Sequence, residues 1–232
     1  MSLIRDAHTI YKYNDFVDLF LGVCRYVSRN GHSEMGIASA HGLLTEHGDR
    51  VVIVGGGDGA TALTAAKKVG RTGLVTIYEG GDRAVRQMEE RLAIEGVAAI
   101  CSVHHAIVGP NIDVYGGDAA NAVTVDPKDL PDCDILELDC EGSEIDILRS
   151  LRIRPRVIIV EIHPFLFPDD PCWVLDRLAA LGYRIIYRSG HDGIQLDDQD
   201  LRKLLTRSRD CGVIYLKNGA RSPGVVAAVR DE

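Results

Sequence analysis

The alternation of short apolar runs with amphipathic segments most constrains what this chain can fold into. RVVIVGG (50–56), LVTIYEG (74–80), AAICSVHHAIV (98–108), DILELDC (134–140) and RVIIVEIH (156–163) are apolar along most of their length. A strand that is apolar on both sides has both faces buried, which is the pattern of a parallel sheet. Between these runs, TALTAAKKV (61–69), RAVRQMEERLAIEG (83–96), EGSEIDILRSL (141–151) and PCWVLDRLAALG (171–182) carry helical spacing. Gly96 closes one helix, and Pro171 suits the first turn of another. Strands alternating with helices predict an α/β domain with helices on both faces of the sheet. IDVYGG (112–117) reads as an extra hairpin strand. YRIIYRSG (183–190) and CGVIYLK (211–217) read as the last two strands, joined by a loop and short helix within LDDQDLRKLLTRSRD. Without a long crossover helix between them, the final strand is expected to run antiparallel.

A chain of 232 residues suits one domain with appendages. Tyr11, Phe16, Leu19, Phe20, Val23, Tyr26 and Val27 fall at helical spacing, so residues 1–48 read as an N-terminal helical extension or lid. Within it, residues 31–48 read as loop or a short helix. The α/β domain spans 49–218, and 219–232 reads as a small, polar, frayed tail. The extension is expected to cap an acceptor pocket or to make a homodimer contact, which gives Tyr11, Tyr13 and His32 a place near the acceptor. Twenty-six basic against thirty-four acidic side chains leave a charge of −8, which argues against nucleic acid as the partner. The opening MSLIRDAHTIYKYND has no apolar leader stretch, and the longest apolar runs are strand-sized, so a cytoplasmic protein without a membrane partner is expected. The cysteines at 24, 101, 133, 140, 172 and 211 form no CxxC and read as reduced, buried small hydrophobes.

Three patterns carry chemistry. GGGDGA (55–60) lies between a strand and a helix, where glycines let the backbone turn sharply against a ligand. Gly55, Gly57 and Ala60 also fit the G-x-G-x-x-A dinucleotide fingerprint, which keeps an NAD-dependent oxidoreductase open. Glu79 ends the second strand, the position from which an acid accepts hydrogen bonds from ribose hydroxyls. The densest pattern is DILELDCEGSEIDIL (134–148) with PRVIIVEIHP (155–164). It brings Asp139, Glu141, Glu144, Glu161 and His163 to the carboxyl ends of adjacent strands, the edge where open α/β sheets bind ligands. Glu141 and Glu144 also suit a helix N-terminus on electrostatic grounds alone.

D-I-L-E-L-D-C-E-G-S-E-I-D-I-L-R-S-L with I-I-V-E-I-H downstream resembles the FkbM-type S-adenosylmethionine-dependent methyltransferases, roughly over residues 50–190. The resemblance implies the Rossmann-like class I methyltransferase fold: a seven-stranded, mostly parallel sheet with an antiparallel last strand. It implies S-adenosylmethionine as cofactor and O-methylation of a hydroxyl on a small molecule or sugar. By the same resemblance, Gly55, Gly56, Gly57, Asp58 and Gly59 form the cofactor loop and Glu79 is the ribose acid, followed by Gly80. Asp139, Glu141 and Glu144 match the family's acidic run, Asp139 and Glu141 lying toward the cofactor. His105, Ala106 and Asp118 are candidates for the adenine. The chain departs from the pattern at Ile53, where the family has an acid, and at Gly80, where it has proline.

For a hydroxyl acceptor, His163 is the leading candidate for the base, because imidazole titrates near neutral pH, with Asp139 second. The acids could instead hold a divalent metal, but no dedicated ligand spacing is present, so none is assigned. VVIVGGGDG is also similar to the glycine loop of spermidine synthases, which makes aminopropyl transfer an alternative. A non-catalytic nucleoside-binding protein is another.

Overall fold

The computed structural model describes residues 35–110, 118–164, 170, 172–191, 193–208 and 224–230. The helix expected at 11–29, Tyr11, Tyr13, His32, the IDVYGG strand, Pro171 and CGVIYLK lie outside the described residues.

The β-branched runs become strands. β1 (Arg50–Val54) pairs in parallel with β2 (Leu74–Glu79) and with β5 (Ile135–Leu138). β2 pairs with β3 (Cys101–Val108), and β5 with β6 (Val157–Ile162). At one edge the three-residue β4 (Val123–Val125) adds to β3, and at the other lies β7 (Tyr183–Gly190). β8 (Gly224–Arg230) inserts between β6 and β7, antiparallel to both. Among the described residues the order is β4-β3-β2-β1-β5-β6-β8-β7, eight strands, one more than the resemblance implies. The extra one is β4, outside the expected runs.

Successive residues of each central strand point to opposite faces, and both faces are covered. Val51, Ile53, Val75, Ile77 and Ile159 pack under α1 (Met35–Leu44), α2 (Ala60–Val69) and α3 (Asp82–Ile94), through Ile37, Ala65 and Met88 among others. Val52, Val54, Leu136, Leu138, Ile158 and Val160 pack under α4 (Glu144–Ser150), α5 (Trp173–Ala180) and α6 (Asp198–Ser208), through Ile147, Leu178 and Leu201. Cys133, Cys140 and Cys172 pack against this second core, and burial pushes the Cys133 thiol up to about 12. No helix among the described residues is long and apolar enough to cross a membrane.

One sequence expectation is corrected. The antiparallel strand exists, but residues 224–230 form it, inside the segment expected to be a frayed tail. Its Ala227 and Ala228 are fully buried, and alanine is a poor strand signal, so burial rather than propensity decides the conformation. Within the expected N-terminal helical extension or lid, where residues 31–48 read as loop or a short helix, α1 forms and packs into the core. Gly36 approaches β7 and β8 so closely that an added Cβ would lie 2.8 Å from Gly190 O and from Val225 Cγ2.

α1 is also tied down by a polar contact. Glu137, in the middle of β5, is fully buried. His41 Nε2 of α1 meets its Oε2 at 2.5 Å, and Thr61 Oγ1 of α2 donates to its Oε1 at 2.8 Å. His41 Nδ1 pairs with Thr45 Oγ1 at 2.8 Å. A buried carboxyl is tolerated only with its bonds made, and removing it orphans two buried partners. Glu137→Ala should therefore lower the unfolding free energy by about 3–5 kcal/mol, and Thr61→Val by about 1–2 kcal/mol, measured by urea denaturation.

Candidate active site

The glycine loop follows β1 and opens α2. Gly55 has φ of 88°, and an added Cβ would stand 1.7 Å from the backbone oxygen of Asp139. Only glycine fits there, and the approach packs the loop against the end of β5. Gly56 lies over Ile77 and Met88, and Gly59 over Met88. Asp58 Oδ1 accepts from Arg91 Nη1 of α3 at 2.8 Å and from Ala60 N at 3.2 Å, which braces the loop on both flanking helices.

Glu79 ends β2 beside this loop. Its Oε2 accepts from Gly57 N at 2.8 Å and its Oε1 from Gly81 N at 2.7 Å. Burial raises its pKa, and the amides of Gly81, Gly57 and Gly80 together with His105 work in the opposite direction. The carboxylate is thus held by loop amides at the carboxyl edge. His105 stands in register with Glu79 on β3, and its Nε2 donates to Gly80 O at 2.9 Å. Ala106 is buried one residue on, opposite Val123 of β4. Asp118 exchanges main-chain contacts with Asp82, its N donating to Asp82 Oδ1 at 3.0 Å and its O accepting from Asp82 N at 3.1 Å. The loop, Glu79, Gly80, His105 and Asp118 therefore share one flank of the edge.

The acidic run forms the other flank. His163, just beyond β6, is buried. Its Nε2 lies 3.5 Å from Glu141 Oε2 and 3.8 Å from Asp139 Oδ1, and its Nδ1 lies 3.6 Å from Glu144 Oε1. Glu144 is fully buried and accepts from Cys140 N at 3.0 Å and Gly142 N at 2.7 Å, closing the turn between β5 and α4. Glu141 has φ of 53°, the only positive φ of a non-glycine among the described residues. The strained turn carries its carboxylate to the imidazole.

Burial alone would lower the His163 pKa. The neighbouring carboxylates of Glu144, Glu141 and Glu161 outweigh it and bring the pKa up to about 9. His163 is therefore an imidazolium at neutral pH. A protonated group cannot take a proton, so at neutral pH this shift works against the base role expected of His163. Asp139, Glu141 and His163 each offer an atom within 4.8 Å of the others, close enough for a cation, and the imidazolium itself supplies a positive charge there. Glu161, at the end of β6, is buried, which by itself raises its pKa; the bond from His191, the charges of His163 and His191 and a bond with Asp139 bring it below the usual value. His191 Nδ1 lies 2.8 Å from Glu161 Oε1. Sequence reading missed His191. Its signal was its place directly after the strand YRIIYRSG, the same place His163 holds after VIIVEI.

Residues 111–212 match a family model described as the methyltransferase FkbM domain. No curated protein matches the chain significantly. Among solved structures, a SAM-dependent O-methyltransferase of Thermotoga maritima is similar at 14% identity and a TM-score of 0.53, over 90% of this chain and 72% of that one. A Clostridium thermocellum protein described as a candidate rRNA methylase is similar at 12% identity and a TM-score of 0.53, over 85% of this chain and 96% of that one. These likenesses establish the class I methyltransferase fold, with the antiparallel strand inserted next to the last.

The charge on His163 has a consequence for stability. A folded-state pKa of about 9 against 6.5 when unfolded gives stabilisation that is fully present below pH 6.5 and is lost as the pH rises through 9. The unfolding free energy should fall by about 3 kcal/mol across that window. In His163→Gln this fall should disappear, as read from urea denaturation at several pH values.

Proposed function

We propose, from the match of residues 111–212 to the methyltransferase FkbM domain, that this chain uses S-adenosylmethionine to methylate a hydroxyl oxygen of a small molecule or sugar. The observation that carries the reading is Glu79, a buried strand-end carboxylate bonded to the amides of the glycine loop. An acid in this position meets the two ribose hydroxyls of a nucleoside, and the closely packed loop lets the ligand approach the backbone. The residues fit the donor: Gly55, Gly56, Gly57, Asp58 and Gly59 would frame it, Glu79 and Gly80 would hold its ribose, and His105, Ala106 and Asp118 would lie toward the adenine.

When bound, the donor supplies a methyl group on a cationic sulfonium. Asp139 and Glu141, on the turn after β5, are the acids we assign to the donor's charged end. Their carboxylates favour a cation. His163 offsets part of that acidic charge and sets the orientation of both. Asp139 remains a candidate to steer the acceptor. Positioning of this kind lowers the barrier of an in-line displacement. The acidic balance of the whole chain favours a small acceptor over a polynucleotide. We also place the reaction in the cytoplasm. Aminopropyl transfer and hydride transfer find less support, because the matched domain is a methyltransferase and neither explains the acidic run.

Calorimetry with S-adenosylmethionine, its demethylated product, decarboxylated S-adenosylmethionine and NAD tests the reading. The first two should bind. Glu79→Ala should weaken them by about 1–3 kcal/mol, through lost charged hydrogen bonds and a loosened Gly57. Absence of S-adenosylmethionine binding by the unaltered protein would overturn the proposal. Screening hydroxylated acceptors with labelled methyl donor then identifies the substrate.

A further inference from the structure

We propose that His191, oriented by Glu161, is the general base that takes the acceptor hydroxyl's proton, an inference that rests on the methyl transfer proposed above. β8 is antiparallel to β6 and to β7, so β6 and β7 run the same way. His191 directly follows β7 and therefore stands at the same carboxyl edge as Asp139 and His163.

Nδ1 of His191 lies 2.8 Å from Oε1 of Glu161, and that carboxylate is only 2% exposed. An imidazole whose Nδ1–H is held by a buried carboxylate has its basic lone pair on Nε2. A base oriented by a third group in this way is the arrangement that activates hydroxyls in other enzymes. The backbone around it is set. His191 O accepts from Gly36 N of α1 at 3.1 Å, and Gly190 exchanges bonds with Ile194 and Gly193 at 3.0 Å.

The His191 side chain is 32% exposed, against 7% for His163. His163 is enclosed by Asp139, Glu141 and Glu144, whereas His191 meets the same acidic cluster from its outer side, through Glu161. The two imidazoles divide the work: the enclosed one carries charge, and the outer one moves a proton. In the step itself, the hydroxyl proton passes to His191 Nε2 and the oxygen bonds to the transferred methyl carbon. The electron pair of the broken carbon–sulfur bond goes to sulfur, and His191 later releases its proton to water.

Nitrogen-15 NMR of the imidazoles tests the orientation without any acceptor. Above its midpoint, His191 should show the Nδ1–H tautomer, and Glu161→Gln should lower that midpoint through the lost carboxylate charge. A predominant Nε2–H tautomer would overturn the proposal. With an acceptor from the labelled-methyl screen, His191→Gln should lower kcat by about 10²–10⁴-fold and remove the acid limb of the pH–rate profile. Its KM and its calorimetric affinity for S-adenosylmethionine should stay unchanged. An unchanged kcat would also overturn the assignment. If the unaltered protein fails to bind S-adenosylmethionine, the methyl-transfer reading fails, and the base falls with it. If it binds and His191→Gln is fully active, only the base falls.

Discussion

A parallel sheet covered on both faces leaves charged side chains only its ends. Along β1, β5 and β6 nearly every residue is sealed between two helical layers. Ionised groups there would lose their hydration without return. The acids of the candidate site accordingly lie at strand ends or just beyond them: Glu79, Asp139, Glu141, Glu161. Glu137 is the exception that measures the constraint. It sits mid-strand at full burial and is tolerated because both of its oxygens are met, by His41 and Thr61.

That constraint also explains what could be read from the sequence. VVIV, LVTIY and VIIVEI are apolar on both sides because both sides are buried, so β1, β2 and β6 were legible from residue type alone. β8 was not, because its centre is Val225, Val226, Ala227, Ala228, and alanine carries no strand preference. Its conformation comes from the slot between β6 and β7, which no local pattern announces. β4 is a three-residue pairing, set by register with Ala106, Ile107 and Val108 rather than by its own composition. Glu137 was invisible for a related reason. In DILELD a mid-strand acid and a strand-end acid look alike, and only the arrival of α1 and α2 tells them apart.

The site divides the same way. Gly55 and Glu79 were legible because a tight strand–helix turn and a strand-end acid each demand a residue type. His163 was legible as a residue, but its charge was not. Imidazole at its ordinary pKa suggests a base, whereas the carboxylates of Glu141, Glu144 and Glu161 raise its pKa and favour the charged form. A pKa belongs to surroundings, and here they come from two separated segments, residues 139–144 and 161–163. His191 stands in a polar turn, SGHDG, where histidine is unremarkable until β7 and β8 bring it beside Glu161.

These contacts also give α1 a part that its place in the sequence did not suggest. Its first turn meets the edge, with Gly36 N bonded to His191 O, and no side chain fits at Gly36 against Gly190 and Val225. Its middle meets the core, with His41 on Glu137. Its end meets the opposite side, where Arg156 Nη1 donates to Leu44 O at 3.4 Å. The helix thus spans the sheet from carboxyl to amino edge and is held at three levels. A lid must leave the sheet at low cost, and a helix with a buried carboxyl and a glycine contact to satisfy cannot. The position of His191 is accordingly fixed by the core itself, through α1, while Glu161 fixes the direction of its ring.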